Sequence, residues 1–126
     1  METNEKIIRE FFDSWADGSM VESLDKHFAA DARWLNSGFP TAEGKDACTK
    51  LAASFSKPFP TIEVEILAIA ASGDSVLVER IDHCKPAGGG ATTDVEVNGS
   101  FKLRDGQIVY WYDYFDPRPF LKGAGG

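Results

Sequence analysis

The chain has 126 residues, of which 43% are apolar and 26% are charged, and this balance predicts a single globular domain over residues 1–126. Its 13 basic and 20 acidic residues give a net charge of −7 without a run of Lys or Arg. This charge argues against a nucleic-acid surface and would repel anionic substrates. The sequence starts without the basic flank and apolar stretch of a leader, and no apolar run could span a bilayer, so we expect a cytoplasmic protein with no membrane partner.

Two helices are predicted at the start of the chain. Apolar residues at helical spacing mark the first, which the pair Asp17-Gly18 ends. Its apolar positions are Ile7, Ile8, Phe11, Phe12 and Trp15. Ser19 and Glu22 have the spacing of a capping box at the start of the second helix. The apolar face of that second helix carries Val21, Leu24 and Phe28.

A short strand and a third helix follow. The strand covers residues 31–36, and a glycine-containing turn covers residues 38–44. The apolar face of the third helix is marked by Ala47, Leu51 and Phe55. We expect this helix to end near Pro58, because the residue before a proline disfavours helical geometry.

The second half of the chain alternates apolar and polar residues and predicts strands. These strands are residues 61–72, 75–84, 94–104 and 107–116. Gly73-Asp74 and Asp105-Gly106 are turn signals that join them into antiparallel hairpins. Helices followed by such strands predict an α+β fold, with about three N-terminal helices packed on one face of a curved sheet.

The strand over residues 75–84 carries charges on its apolar face. Val76 and Val78 share one side of the strand, and the alternation continues on that side into Arg80 and Asp82. In the last strand, an inward Val109 would likewise place a carboxylate, Asp113, towards the helices. Three ionisable side chains are therefore predicted inside the domain.

These three side chains allow a structural and a functional interpretation. Arg80 could simply neutralise Asp82 and Asp113 in a buried ion cluster. Such a cluster rarely stabilises a protein more than apolar packing does, and two acids on one base leave an excess negative charge, so we favour function. Two carboxyl groups sharing one guanidinium should differ in pKa, so that one acts as an acid while the other is an ionised base.

Three sequence features resemble the limonene epoxide hydrolase family. They are the pair Arg80-x-Asp82, the C-terminal segment "WYDYFD", and Asn36 two residues after an aromatic residue in "RWLNSGFP". The resemblance covers most of the chain and implies the cone-shaped fold shared with ketosteroid isomerase, nuclear transport factor and polyketide cyclases. It also implies direct attack of water on an epoxide, without a covalent intermediate and without a cofactor or metal.

The resemblance assigns expected roles in the reaction. Asp113 would be the base that activates water, Asn36 would hold this water, Asp82 would protonate the epoxide oxygen, and Arg80 would orient both acids. The chain departs from the family at Trp34, where the family has a tyrosine whose hydroxyl contacts the water. An indole N–H can donate a hydrogen bond but cannot accept one.

A cavity for a small apolar substrate needs apolar walls. We expect its walls to include Phe39, Leu51, Phe55, Phe59, Val78, Val109, Trp111 and Phe115. Tyr110, Tyr112 and Tyr114 would share the opposite, outer face of the sheet. The family resemblance implies a homodimer across that face, which would explain the row of aromatic side chains.

The remaining candidate residues have structural interpretations. His83 lies on the outer side of its strand and is expected at a surface or interface, and His27 is expected to be structural. Cys48 and Cys84 lack metal-ligand spacing and are expected to be reduced thiols rather than nucleophiles. Asp116 precedes Pro117 and is expected to be a turn or cap residue.

Together these features predict a cofactor-independent epoxide hydrolase that turns a small apolar epoxide and water into a vicinal diol. One alternative is an isomerase or polyketide-type cyclase of the same fold, in which Asp82 or Asp113 abstracts a proton from carbon. A ketosteroid isomerase would need a carboxylate near position 36, where this chain has Asn36. A second alternative is a binding module for small ligands that has lost its chemistry.

Overall fold

The computed structural model describes residues 3–17 and 19–123. Within these residues the chain forms four helices and six strands. In chain order they are α1 (Asn4–Asp17), α2 (Met20–His27), β1 (Phe28–Asn36), β2 (Ala42–Glu43), α3 (Lys45–Ser56), β3 (Thr61–Ser72), β4 (Ser75–Lys85), β5 (Thr93–Arg104), β6 (Gln107–Phe115) and α4 (Pro117–Gly123).

The three predicted helices are present, with one correction. Helix α1 ends at Asp17, and the predicted Gly18 stop lies outside the described residues. The side chain of Ser19 caps α2 by accepting the backbone N–H of Glu22. The prediction that Phe28 belongs to this helix is wrong, because the backbone is already extended at Phe28 and β1 begins there.

The apolar face predicted for α1 lies in the core. Its members Ile7, Ile8, Phe11, Phe12 and Trp15 are all buried. Helix α1 packs against β3 and β4, whereas α3 packs against β1. Both helices therefore cover one face of the sheet, with α1 near one edge and α3 near the other. This is the layer arrangement expected for an α+β domain.

The sheet has the strand order β2-β1-β6-β5-β4-β3. Strands β3 to β6 form an antiparallel meander, and the turn between β5 and β6 has positive φ angles at Asp105 (52°) and Gly106 (80°). Strand β1 lies parallel to β6, which makes the sheet mixed. This pairing places Asn36 beside Asp113. The predicted fold class is confirmed.

The inner face of the sheet follows the predicted alternation on β4, whereas a bulge interrupts it on β6. On β4 the side chains of Val76, Val78 and Arg80 are buried. On β6 the pairing with β5 shifts by one residue between Ile108 and Tyr110. Ile108 is therefore buried, and the prediction that Val109 faces inward together with Trp111 is wrong.

Candidate active site

Arg80 lies between two carboxylates inside the domain. Its side chain is only 1% exposed, and its Nε donates a hydrogen bond of 2.9 Å to Oδ1 of Asp82. On the other side, Nη1 and Nη2 donate to Oδ1 and Oδ2 of Asp113 at 2.9 and 2.6 Å. The guanidinium therefore fixes both carboxylates at once, and its fork gives Asp113 a bidentate partner.

The ring of Phe12 supports the guanidinium from the helical layer. The Arg80 Cζ atom lies 4.7 Å from the centre of this ring, within the range of a cation–π contact. Burial alone would lower the pKa of Arg80, but the negative charges of Asp113 and Asp82 outweigh it and raise that pKa. Arg80 is thus a permanent cation in the interior.

Asp82 and Asp113 share Arg80 but differ in their surroundings. Burial is the largest influence on Asp82 and raises the pKa of its carboxyl, although Arg80 acts in the opposite direction. Asp113 accepts an additional hydrogen bond of 2.6 Å from Nε1 of Trp111. Burial therefore makes Asp82 hold a proton more tightly than usual, whereas Asp113 has an additional indole donor.

Asn36 and Trp34 place unused hydrogen-bond donors beside Asp113. Asn36 pairs with Asp113 across β1 and β6, and Trp34 pairs with Trp111, on whose ring it stacks at 4.3 Å. The Asn36 Nδ2 and Trp34 Nε1 atoms are buried and find no acceptor among the described residues. A bound molecule would satisfy such groups, since buried donors in proteins are almost always paired.

Gly99 is a site residue that the sequence interpretation missed. It lies opposite Asp113 in the β5–β6 ladder. A Cβ atom built at this position would lie 2.6 Å from Oδ1 of Asp113 and 2.8 Å from Nη1 of Arg80. Only glycine leaves room for the ion pair here. The signal in the sequence is a glycine in the interior of a predicted strand, which often marks close approach of another group.

A cavity opens beside these polar groups. With its open mouth it encloses about 440 Å³, and the centres of water molecules can reach about 40 Å³ of this space. Of the residues predicted for the site, its walls include Trp34, Asn36, Phe55, Arg80, Asp82, Trp111, Asp113 and Phe115. Further wall residues that were not predicted are Trp15, Met20, Ile62, Cys84, Val95, Val97 and Phe120.

Five predicted wall residues lie outside the cavity lining. Phe39 packs behind it, against the rings of Phe55 and Phe115. Phe59 and Val78 are buried in the core, and Leu51 packs against that core while partly buried. Val109 is turned away by the bulge in β6. Periodicity identifies a buried face but does not separate residues that border a cavity from those that fill the core.

The residues with structural interpretations follow the predictions. His27 is buried, and its Nδ1 lies 2.8 Å from the carbonyl oxygen of Ser23. His83 lies on the outer face between Asp94 and Glu65, whose hydrogen bonds raise its pKa. Asp116 caps α4 by accepting the backbone N–H of Arg118.

Both cysteines are buried and free. Burial raises the pKa of Cys48 to about 11 and that of Cys84 to about 12. Such thiols are poor nucleophiles near neutral pH, because the thiolate is the reactive form.

In the described part of the chain, no helix is long and apolar enough to cross a membrane.

Known proteins share this fold over nearly the whole chain. An LEH-like epoxide hydrolase from M. tuberculosis is 26% identical, with a TM-score of 0.79 over 96% of this chain and 88% of that one. A protein from Jannaschia sp. CCS1 assigned as a SnoaL-like polyketide cyclase is 20% identical, with a TM-score of 0.81 over 98% and 92%. An NTF2-like protein of unknown function from Burkholderia pseudomallei is 15% identical, with a TM-score of 0.83 over the full length of both chains.

The last two similarities are similarities of fold, and they agree with the cone-like, unclosed curved sheet described above. The SnoaL-like domain family matches residues 8–111. This range includes Arg80 and Asp82 and ends two residues before Asp113. This match covers most of the chain. The chain belongs to the SnoaL-like domain family.

Proposed function

We propose that this protein is a cofactor-independent epoxide hydrolase that adds water to a small apolar epoxide and releases a vicinal diol. The observation that carries the proposal is the buried Asp82–Arg80–Asp113 cluster beside the unpaired donors of Asn36 and Trp34. The similarity to an LEH-like epoxide hydrolase supports the same chemistry.

In the proposed reaction, Asp113 takes a proton from the attacking water. Asn36, adjacent to Asp113 in the sheet, holds this water at the carboxylate. One lone pair of the water must remain free to attack carbon, so only one N–H, from Asn36 or Trp34, can donate to the water oxygen during the attack. The new bond joins the water oxygen to an epoxide carbon.

Asp82 supplies the second half of the proposed reaction. Its raised pKa favours the protonated form that an acid needs. As the epoxide C–O bond breaks, the proton of Asp82 passes to the leaving oxygen, which becomes the second hydroxyl of the diol. The reaction leaves Asp113 protonated and Asp82 ionised, and proton exchange with solvent restores both groups.

Labelled water tests direct attack. One turnover with enzyme in excess, in water labelled in its oxygen, should place the label in the diol and none in Asp82 or Asp113. The diol and the digested protein would be analysed by mass spectrometry. Label in either carboxylate after one turnover would show a covalent ester and falsify direct attack, and unlabelled enzyme run in ordinary water is the control.

An isomerase or polyketide-type cyclase is the second candidate. Asn36 and Trp34 line the same cavity as Asp113, and in this candidate their N–H groups would stabilise an enolate oxygen while the carboxylate removes a proton from carbon. Catalysed deuterium exchange next to a ketone, without hydrolysis of any epoxide, would favour this reaction. A protein that binds such compounds but shows neither activity would be a binding module.

We also propose a homodimer across the outer face of the sheet. Leu77 is 54% exposed on this face. Two strands away, on β6, the rings of Tyr112 and Tyr114 stack on each other at 4.0 Å. At one end of the face the acids Glu63, Glu65 and Asp94 outnumber their partners Lys85 and His83, and Lys102 lies at the other end. Two copies related by a twofold axis would bring opposite charges together.

A further inference from the structure

Trp15 contributes a third unused donor to the cavity, and the proposed reaction does not employ it. Its side chain lines the cavity and is only 2% exposed. Its Nε1 is buried and has no acceptor among the described residues. Because an indole N–H can only donate, its partner has to be an acceptor. No water outside the protein reaches this atom, so the acceptor has to lie in the cavity.

Trp15 belongs to a different element from Asn36, although its ring lies 5.9 Å from that of Trp111. Trp15 is part of α1, which packs on β3 and β4 near one edge of the sheet. Asn36 is part of β1, near the opposite edge. Trp15, Met20 and Ile62 together line both the cavity and a smaller recess next to it. Neither Asn36 nor Asp82 borders this recess, so we place the acceptor bound by Trp15 at an atom other than the attacking water and the epoxide oxygen.

The surroundings of Trp15 select the chemical class of this acceptor. The protein has a net charge of −7, and two carboxyl groups share the cavity with one guanidinium, so an anionic acceptor is disfavoured. A hydroxyl would need an acceptor for its own proton, but Met20 and Ile62 offer none, and Ser56, which also borders the recess, is already bound to the carbonyl oxygen of Ala52. A carbonyl oxygen fits, because it accepts and has no proton to place.

We infer that the substrate carries a carbonyl oxygen besides its epoxide, and that the N–H of Trp15 binds this oxygen. The inference rests on the proposed epoxide hydrolysis and makes the substrate class an epoxide with a ketone or ester group. Trp15 is then a specificity-determining residue that orients the epoxide towards Asp82 and the water. The remaining walls of the cavity stay apolar, in agreement with a compact and otherwise hydrocarbon skeleton.

Binding can be tested without turnover by nuclear magnetic resonance. The chain has three tryptophans, so its indole N–H groups give three resolvable signals, which Trp15→Phe and Trp34→Phe variants assign. Cyclohexanone should move the Trp15 signal in the direction of a stronger hydrogen bond, and methylenecyclohexane, with the same shape and no acceptor, should not. The Trp111 signal is the internal control, because that N–H already donates to Asp113.

Turnover provides the second test. A terminal epoxide with a methyl ketone at its far end is compared with the same skeleton in which a methylidene group replaces the carbonyl oxygen. The native protein should prefer the ketone by about tenfold in kcat/KM, and Trp15→Phe should remove the preference while retaining hydrolysis of the methylidene compound. Trp34→Phe, which changes the water site, should slow both compounds equally.

The outcomes separate the inference from the proposed function. Equal rates for the two epoxides, or a Trp15 signal that responds equally to both cyclic ligands, would overturn the inference and leave epoxide hydrolysis standing. A resident water on Trp15 would give that result. A ketone-specific shift of the Trp15 signal without hydrolysis of either epoxide would retain the carbonyl site and overturn the proposed hydrolase. If Trp15→Phe does not fold, the signals of the native protein decide.

Discussion

Asp82 and Asp113 show how one residue type meets two different surroundings around the same guanidinium. Both carboxyls accept hydrogen bonds from Arg80 on both oxygens, but burial raises the pKa of Asp82, whereas Asp113 also accepts a hydrogen bond from Trp111. Desolvation favours the neutral form of a carboxyl. The chemical difference between these residues therefore lies in their neighbours.

The raised pKa of Asp82 predicts a pH-dependent effect on stability. The folded protein binds the Asp82 proton more tightly than the unfolded chain, whose reference pKa is 3.8. The resulting stabilisation is complete below that value and is lost as pH rises through the folded pKa. Asp82→Asn stays neutral, so its free energy of unfolding should improve relative to the native protein as pH increases from about 4 to about 8.

Urea unfolding of both proteins across this range checks the prediction, and Asp31→Asn is the control. Asp31 is exposed, and its hydrogen bond to Arg104 lowers its pKa. Its contribution is therefore present above 3.8 and lost as pH falls, with the opposite sign and a small size. An Asp82→Asn difference that is constant with pH would mean that Asp82 is not protonated more readily in the folded state.

Gly99 provides a second prediction for a single residue. Gly99→Ala forces a methyl group against Asp113 and Arg80, and overpacking of this kind costs about 1 to 3 kcal/mol of stability. Displacing catalytic groups by about 1 Å costs about a hundredfold in rate, so we expect a loss of that size in kcat/KM. Gly88→Ala, which meets no atom within 4 Å, should leave stability and rate unchanged. Equal behaviour of the two variants would contradict the described approach of Asp113.

The sequence allowed the acids to be placed but not their close contacts. Alternation with a period of two residues is enough to put Arg80 and Asp82 on the inner face of β4. The contact of Gly99 with Asp113 depends on the register between β5 and β6, and the Trp111 hydrogen bond depends on a side-chain rotamer. Neither quantity is encoded in local periodicity.

At the scale of the elements, long periodic segments were predictable and short ones were not. The helices α1 to α3 and the two hairpins match their predicted positions because each buries a repeating apolar face. Strand β2 has two residues, and α4 has no buried residue, so neither carries such a repeat. The bulge at Val109 was missed for the related reason that one extra residue reverses the alternation without changing composition.

Helix α4 controls the size of the cavity through Phe120. This ring lines the cavity and packs on Phe55 and Phe59 at 5.2 and 5.1 Å. Phe120→Ala should widen the mouth and raise kcat/KM for bulky epoxides several-fold, while costing about 1 to 2 kcal/mol because the ring is only partly buried. Kinetics with epoxides of increasing size and thermal unfolding measure the two effects.

The neighbouring residue Leu121 is the matched control for Phe120. Leu121 is 42% exposed on the same short helix, so Leu121→Ala should change neither the substrate range nor the stability by much. If Phe120→Ala turns over small and bulky epoxides in the native ratio, the ring does not limit access to the cavity.

The proposed dimer is tested on the whole molecule. Leu77→Lys would put a charge on the outer face, where a second copy would have to bury it, and should convert a dimer into a monomer. Sedimentation velocity gives the masses, and Leu121→Lys, which adds the same charge on α4, should leave the assembly unchanged. A native protein that sediments as a monomer at micromolar concentration would refute the assembly.

The parallel pairing of β1 with β6 also determines when the site can exist. Asn36 is synthesised early, but its neighbour Asp113 lies on the last strand of the sheet, and Arg80 comes between them in the chain. A nascent chain that has produced α1, α2 and β1 holds Trp34 and Asn36 but neither Arg80 nor Asp113. Contacts between distant parts of a chain also form slowly. Recovery of activity during refolding would therefore report the closure of the β1–β6 pair, and a ribosome-bound fragment ending before β6 would be catalytically silent.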